Sequence, residues 1–320
     1  MSNHTEPSGS ARASNIVVFI NPSAGAGRAR NSLPRIQRVF ESSSIPAEFV
    51  MTHSAEELES RVPEAILRGK NLLITAGGDG TFQALANAAF GADALLGIIP
   101  VGGGNDFATA LGMPGDPVKA TEALLAGQAR LVDLVRVRTG DGRTRLYAGG
   151  GGVGLDAEAV RYASGAYRQL PGRIRYIASA LTALARFDSL GVRIDFPGSN
   201  LPSSETQVLL AAALNSPTYG AGLRLAPDAK IDDGSLEVVM IEKLNKFEVL
   251  TLLPRLMGSG ELRTPRVKRW RARGVRFTTQ QPCMFHGDGE ILGPTPVEIE
   301  VVPRAVRVLT PTVGLRVYPS

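Results

Sequence analysis

A chain of 320 residues with 43% hydrophobic and 20% charged side chains has the composition of a folded protein and the length for two domains rather than one. Its single cysteine, Cys283, excludes an internal disulfide and a cysteine-built metal site and suits a reducing cytoplasm. A formal charge of +5 with a pI near 9.5 favours an anionic partner, which nucleotide, nucleic acid or an acidic membrane surface would each satisfy.

Residues 1–14 are Ser-rich and lack an apolar core, so they read as a flexible tail and not as a signal peptide. Strand-like runs follow at Asn15 to Ile20, Ala47 to Thr52, Asn71 to Thr75 and Leu95 to Ile99. They alternate with helix-like segments at about Asn31 to Ser43, Ser54 to Arg68 and Thr81 to Phe90, the second opened by a capping box at Ser54 to Glu57. Continuous apolar strands separated by helices predict a parallel sheet covered on both faces, with ligand sites at the carboxyl ends of its strands. From about Leu131 the rhythm changes to short strands and turns, including Arg193 to Phe196, Gln207 to Leu214, Leu236 to Ile241 and Val297 to Val302. A mainly antiparallel second domain is expected there. Ile174 to Phe187 interrupts it as a helix, and Arg304 to Thr310 is a candidate return to the first domain. No apolar run reaches the ~20 residues that span a bilayer, so any membrane contact is expected to be peripheral. No zinc-finger, RNP or basic-helix pattern is present, and nucleic acid is not expected as a partner.

Three glycine-bearing loops follow predicted strand ends: Asn21 to Gly27, Gly77 to Thr81, and Pro100 to Asp106. A strand that turns on glycines into a helix leaves backbone N–H groups free for phosphate oxygens. Within Gly77-Gly78-Asp79-Gly80-Thr81, an acid amid such a cradle would repel polyphosphate unless a divalent cation stood between them. Asp79 therefore implies Mg²⁺ as well as nucleotide, and kinase chemistry is the leading inference. The plain alternative is a tight turn with Asp79 serving the helix start. Asn105 and Asp106 are likewise helix caps or nucleotide contacts, and their place after Gly102 to Gly104 favours contact.

Gly149 to Gly154 satisfies the G-x-G-x-x-G spacing, but Arg161 to Phe187 contains no acid to read a ribose, so the run is taken as close backbone packing with Asp156 as a helix cap. Asp228 to Gly234 is an Asp-rich turn or a hard-cation site. In His286-Gly287-Asp288-Gly289-Glu290 a solvated hairpin competes with an extended segment. If the segment is extended, its three titratable groups share a face, and either His286 or Glu290 could take a proton from a hydroxyl. Arg263 to Arg276 holds seven Arg or Lys residues and Trp270 without an acid. That composition guards a strand edge or meets an anionic bilayer.

The ordered motifs Asn21-Pro22 with Gly25, Gly77 to Thr81, Pro100 to Ala108, Gly154 to Glu158, Ala226 to Ala229 with Asp232 to Gly234, and Asp288 to Glu290 together resemble the diacylglycerol kinase catalytic family, especially the bacterial YegS-type lipid kinases. The resemblance covers about Asn15 to Pro311. It implies an α/β nucleotide-binding domain with a parallel sheet (residues 15–130, completed by 304–320) joined to a mainly antiparallel β-sandwich domain (131–303) that takes the lipid. By the resemblance ATP is held by Asn21, Thr52, Gly77, Gly78, Asp79, Gly80, Thr81, Phe82, Gln83, Gly102, Gly103, Gly104, Asn105 and Asp106. Glu290 corresponds to the proton acceptor, with Asp79 organising metal or water, and Asp233 to a Mg²⁺ site completed by the carbonyls of Lys230 and Ser235. Gly103 stands where the family usually has Thr, and Gly149 where Asn is common; either change weakens nucleotide positioning. The expected partner is a lipid with a hydroxyl at an anionic membrane surface, and an open sheet edge allows a homodimer. A soluble-substrate kinase of the NAD kinase type and a non-catalytic nucleotide-binding protein are the competing readings.

Overall fold

The fold was analysed in a computed structural model that describes residues 15–312, apart from 168, 171 and 260–263. The first half runs β1 (Ile16–Ile20), α1 (Arg28–Ser42), β2 (Glu48–Met51), α2 (Ala55–Leu67), β3 (Leu72–Gly77), α3 (Asp79–Ala89), β4 (Leu95–Pro100), α4 (Asp106–Ala110) and α5 (Pro117–Leu125). β1 is buried at every position, and β3 and β4 at all but their first. Strands of this kind need cover on both faces. They pair in parallel in the order β2, β1, β3, β4. Ser54 caps α2 by accepting the Glu57 amide at 3.1 Å, while the Glu57 carboxylate reaches back to the His53 amide at 2.9 Å. The helix α1 starts three residues earlier than its spacing predicts, because Gly27 in the left-handed region (φ 89°) turns the chain directly into it.

The second half comprises β5 (Gln128–Arg138), β6 (Thr144–Tyr147), β7 (Gly150–Gly154), α6 (Leu155–Ser164), α7 (Gly172–Arg186), β8 (Leu190–Asp195), β9 (Ser204–Leu214), β10 (Leu236–Glu242), α8 (Lys246–Met257), β11 (Val267–Ala272), β12 (Gly274–Thr279), β13 (Met284–Gly287), β14 (Glu290–Pro294) and β15 (Val297–Thr310). All its internal strand pairs are antiparallel. β9 and β10 carry apolar residues on both faces. Val208, Ala211 and Ala213 of β9, with Leu236, Val238 and Met240 of β10, enter the sandwich core, while Leu209, Ala212, Leu214, Val239 and Ile241 form a second apolar layer on the opposite side. That second layer requires its own cover, supplied in part by Leu155 of α6 and Val249 and Leu252 of α8.

β15 joins the halves. Val297 and Ile299 pack in the sandwich core, whereas Val306, Val308 and Leu309 pack in the α/β core, where Arg307 and Val308 pair in parallel with β4. Pro303 lacks an N–H for a ladder, and it falls in the bulge between Val302 and Val306. Buried Asp133 holds that bulge by accepting the amides of Arg304 and Gly234, both at 2.7 Å. The sequence-predicted return, Arg304 to Thr310, is thus the second part of one long strand.

Candidate active site

The loops at the carboxyl ends of β1, β3 and β4 press against one another so closely that only glycine fits. A Cβ on Gly102 would lie 2.5 Å from the Cα of Gly78, and one on Gly25 (φ +60°) 2.0 Å from the Val101 carbonyl oxygen. Asn105 occupies the left-handed region (φ 62°) and fastens its loop by accepting the Gly102 amide and donating to the Gly102 carbonyl, both at 3.0 Å. Asn21 holds its own turn by accepting from the amide and hydroxyl of Ser23 at 3.1 and 2.7 Å. Thr52, buried at the end of β2, hydrogen-bonds by its amide to the Ile20 carbonyl at 2.8 Å. Gly78 is the N-cap of α3, whose first-turn amides have no carbonyl four residues back. Phe82 is buried and stacks with Phe107 at 4.8 Å, and the Gln83 amide group donates to the Gly287 carbonyl at 3.2 Å. The side chains of both residues therefore pack the fold, leaving the glycine backbone to face a ligand.

Three carboxylates gather beside this cradle, each fixed by backbone amides. Asp79 accepts from Asp106 and Phe107 (2.9 and 3.1 Å), so it caps α4 and not its own helix. Asp106 in turn accepts from Ala221 and Gly222 at 2.8 and 2.9 Å, tying the α/β half to the sandwich. Asp288 accepts from Ala148, Gly149 and Gly150 at 2.6, 2.8 and 3.2 Å. Enclosure by protein, followed by repulsion from Asp106 and Asp288, raises the pKa of Asp79 well above the carboxylate range. Enclosure also pushes Asp288 up to about 6, against the lowering effect of its three amides. No lysine or arginine among the described residues forms an ion pair with Asp79 or Asp288. The raised pKa values mark a cluster in which several negative charges are unfavourable together; among the described residues no group of three or more His, Cys, Asp or Glu side chains is placed to hold a metal ion by itself.

Asp288 and Gly289, with φ of 52° and 83°, form the two-residue turn between β13 and β14. The segment is therefore a hairpin, and His286, Asp288 and Glu290 do not share a face as an extended strand would require. Glu290 turns toward α3, where a Cβ on Gly80 would meet its Oε1 at 2.8 Å. Although Glu290 remains exposed to solvent, the protein around it raises its pKa, opposed by Arg175. His286 is buried, stacks on Tyr219 at 5.6 Å, and brings its Nε2 to 2.6 Å from the Tyr219 hydroxyl. Because that hydroxyl gives its single proton to the Asp156 carboxylate at 2.5 Å, the imidazole Nε2–H donates to the tyrosine oxygen.

A cavity of about 230 Å³ opens from this cluster. Asp79, Asp106 and Asp288 line one end and Asp156, Tyr219 and His286 its polar wall. Its apolar walls include Val160 of α6, Leu184 of α7, Leu209 of β9, Ile241 of β10 and Leu252 of α8. It lies over the second apolar layer of β9 and β10. The glycines of β7 keep the polar wall close: a Cβ on Gly150 would lie 2.8 Å from the Tyr219 ring and one on Gly152 2.4 Å from the Asp156 carboxylate.

Residues 15–137 match the diacylglycerol kinase catalytic domain, and residues 151–310 match the YegS C-terminal NAD kinase beta sandwich-like domain. The chain belongs to the diacylglycerol kinase catalytic family, with the YegS-type lipid kinases. This kinase is 27% identical over 300 residues to a diacylglycerol kinase of Mycobacterium tuberculosis (strain CDC 1551 / Oshkosh), covering 93% of this chain and 96% of the other. It is 30% identical over 265 residues to the Xanthomonas euvesicatoria pv. vesicatoria (strain 85-10) protein named "Probable lipid kinase YegS-like", covering 80% and 84%. A crystal structure of a diacylglycerol kinase from Bacillus anthracis str. Sterne shares the fold, with a TM-score of 0.70 at 19% identity over 92% of this chain and 96% of that one. The protein is an ATP-dependent lipid kinase.

Other predicted positions of the kinase are differently engaged. Asp233 accepts from the Ser235 amide at 3.1 Å and pairs with Arg271 at 2.6 Å, while Asp232 pairs with Arg130 at 2.6 Å. Lys230 lies in the same turn. In the basic stretch, Arg266, Lys268, Arg271 and Arg276 all form ion pairs within the chain, and Trp270 stacks on Phe196 at 5.5 Å against the sandwich core. Arg263 lies outside the described residues. Gly149 adjoins the Asp288 anchor and not the nucleotide cradle; a Cβ there would approach Asp288 Oδ1 to 3.1 Å and Ser216 Oγ to 3.2 Å. Tyr219, Asp133 and the anchoring role of Asp288 had no signal in the sequence, since each acts on amides or side chains distant along the chain.

Proposed function

We propose that this kinase passes the γ-phosphoryl group of ATP to the hydroxyl of diacylglycerol or a related lipid, at the junction between the glycine cradle and the apolar cavity. The observation that carries this reading is the continuity of one space lined both by Asp79, Asp106 and Asp288 and by the apolar side chains of α6, α7, α8, β9 and β10. Under it, residues 15–130 with the end of β15 bind ATP, and residues 131–303 take the lipid. Phosphoryl transfer depends on alignment and charge neutralisation more than on covalent chemistry. The amides of Gly77 to Thr81 and the loop Gly102 to Asp106 align the phosphates, with Asn21 and Thr52 at the edge of the cradle. The backbone at Gly103 donates as it would from Thr.

Asp79 would hold Mg²⁺ together with the nucleotide, and the ion would supply charge neutralisation there. A second Mg²⁺, at Asp233 with the carbonyls of Lys230 and Ser235, would be structural and would compete with Arg271. Glu290 accepts the proton of the lipid hydroxyl, and its raised pKa makes it a better base than an ordinary carboxylate. The acyl chains occupy the cavity beneath α6, α7 and α8. With an acceptor that resides in a bilayer, the reading is of a cytoplasmic kinase bound peripherally at an anionic membrane surface. The edge of β2, which among the described residues pairs only with β1, is the place for a second copy to pair.

Incubation with labelled ATP, Mg²⁺ and a fractionated lipid extract tests the reading. A labelled lipid is expected. Label appearing only on NAD would instead identify a soluble-substrate kinase, and nucleotide binding without any labelled product a non-catalytic protein.

A further inference from the structure

Among the described residues, six of the ten large apolar side chains exposed to solvent lie on two helices: Ile174, Ile177 and Leu181 of α7, and Phe247, Leu250 and Met257 of α8, each 47% to 75% exposed. Their spacing makes a stripe on each helix. Both helices also wall the apolar cavity, α7 with Leu184 and α8 with Val249 and Leu252. α8 is thus apolar on two sides, one turned to the cavity and the other to solvent. A helix apolar on both sides is stable where both sides are covered, and nothing in the described chain covers the outer one. Leu181 lines the cavity while 49% exposed, so the cavity's rim reaches the same exposed face.

Charge selects the occupant. α7 and α8 together carry five Arg or Lys residues and one acid, Glu248, whose carboxylate accepts the Asn245 amide at 2.8 Å as the α8 cap. Two copies of this face would repel each other, whereas an anionic bilayer attracts basic residues beside an inserted apolar stripe. We infer that α7 and α8 form the membrane-docking face of the kinase, inserting their outer stripes into an anionic bilayer so that a lipid enters the cavity past Leu181 without crossing water. This rests on the lipid-kinase reading above and moves the membrane contact away from the basic strand β11, whose charges and tryptophan are already engaged.

Full-length protein is co-sedimented with phosphatidylcholine vesicles with and without phosphatidylglycerol. Wild type should bind the anionic vesicles, and Phe247→Ser/Leu250→Ser should weaken binding by about tenfold or more. Ile174→Ser/Ile177→Ser, on the other helix, should do the same. Leu67→Ser, an exposed leucine on α2, is the control and should bind as wild type. In detergent-dispersed short-chain diacylglycerol the docking variants should keep wild-type kcat, and with vesicle-embedded lipid their apparent KM should rise. Unchanged vesicle binding in both folded double variants, or no binding by wild type, overturns the inference. So does a wild-type dimer in light scattering that the same substitutions dissociate. Vesicle binding by wild type without phosphorylation of any lipid would leave the docking face standing and defeat the kinase reading.

Discussion

Two groups of aspartates in this molecule show what decides whether a carboxylate awaits a cation. At the turn Asp228 to Ser235, Asp232 and Asp233 each face an arginine at 2.6 Å, so their charge is already neutralised. Beside the glycine cradle, Asp79 and Asp288 are oriented only by backbone amides and sit close enough to repel each other. Both groups sit in Gly-bearing turns, and the sequence offers a cation site at each. The difference lies in what each carboxylate already holds, which fits the first group to structural work and the second to chemistry on an anionic substrate.

The largest effect that could break this comparison is expected at Glu290. Glu290→Gln should lower kcat by about 10² to 10⁴-fold with ATP affinity retained; equal turnover would remove Glu290 as the base. Next, Asp79→Asn should reduce kcat/KM by about 10²-fold and flatten its dependence on Mg²⁺ concentration. It should also change the pH dependence of stability, measured as Tm. Asp79 and Asp288 bind protons more tightly folded than unfolded, so wild-type stability should fall as pH rises from about 4, through about 6 for Asp288 and on to about 8 for Asp79. Added Mg²⁺ should oppose that fall, and a Tm that climbs steadily across this range would show that the cluster is already neutralised.

The α/β half was legible in the sequence to within a few residues because its strands are continuously apolar and its turns are glycine-marked. α8 was missed although Asn245 and Glu248 form a capping box, since its apolar positions lack a polar face to set the period. α6 was hidden by the glycine run before it. The cradle could be read from Gly77 to Thr81 because local spacing creates it. The acid cluster could not, since it depends on Asp106 reaching 115 residues along to Ala221 and Asp288 reaching 140 residues back to Ala148.

Smaller effects sharpen the contrast between the two ends of the cavity and between the two aspartate groups. Ala159, on α6, lines the cavity, and Ala159→Phe should raise the apparent KM for long-chain diacylglycerol by about tenfold while leaving the KM for ATP unchanged, as expected for volume lost from an apolar pocket. Equal effects on both substrates would place the acyl chains elsewhere. Arg271→Ala should change stability by about 1 kcal/mol or less, because its guanidinium is largely exposed. It should also increase the Tm shift that Mg²⁺ produces by releasing Asp233, and an unaltered shift would reject a cation site there.

The central claim is that cradle, acid cluster and cavity act as one site. A crystal structure with Mg²⁺ and a non-hydrolysable ATP analogue tests it most directly. The triphosphate should lie along Gly77 to Thr81 and Gly102 to Asp106, with its terminal phosphate facing Glu290 and the mouth of the cavity. A nucleotide bound away from these loops, or one whose terminal phosphate points away from the cavity, would contradict it.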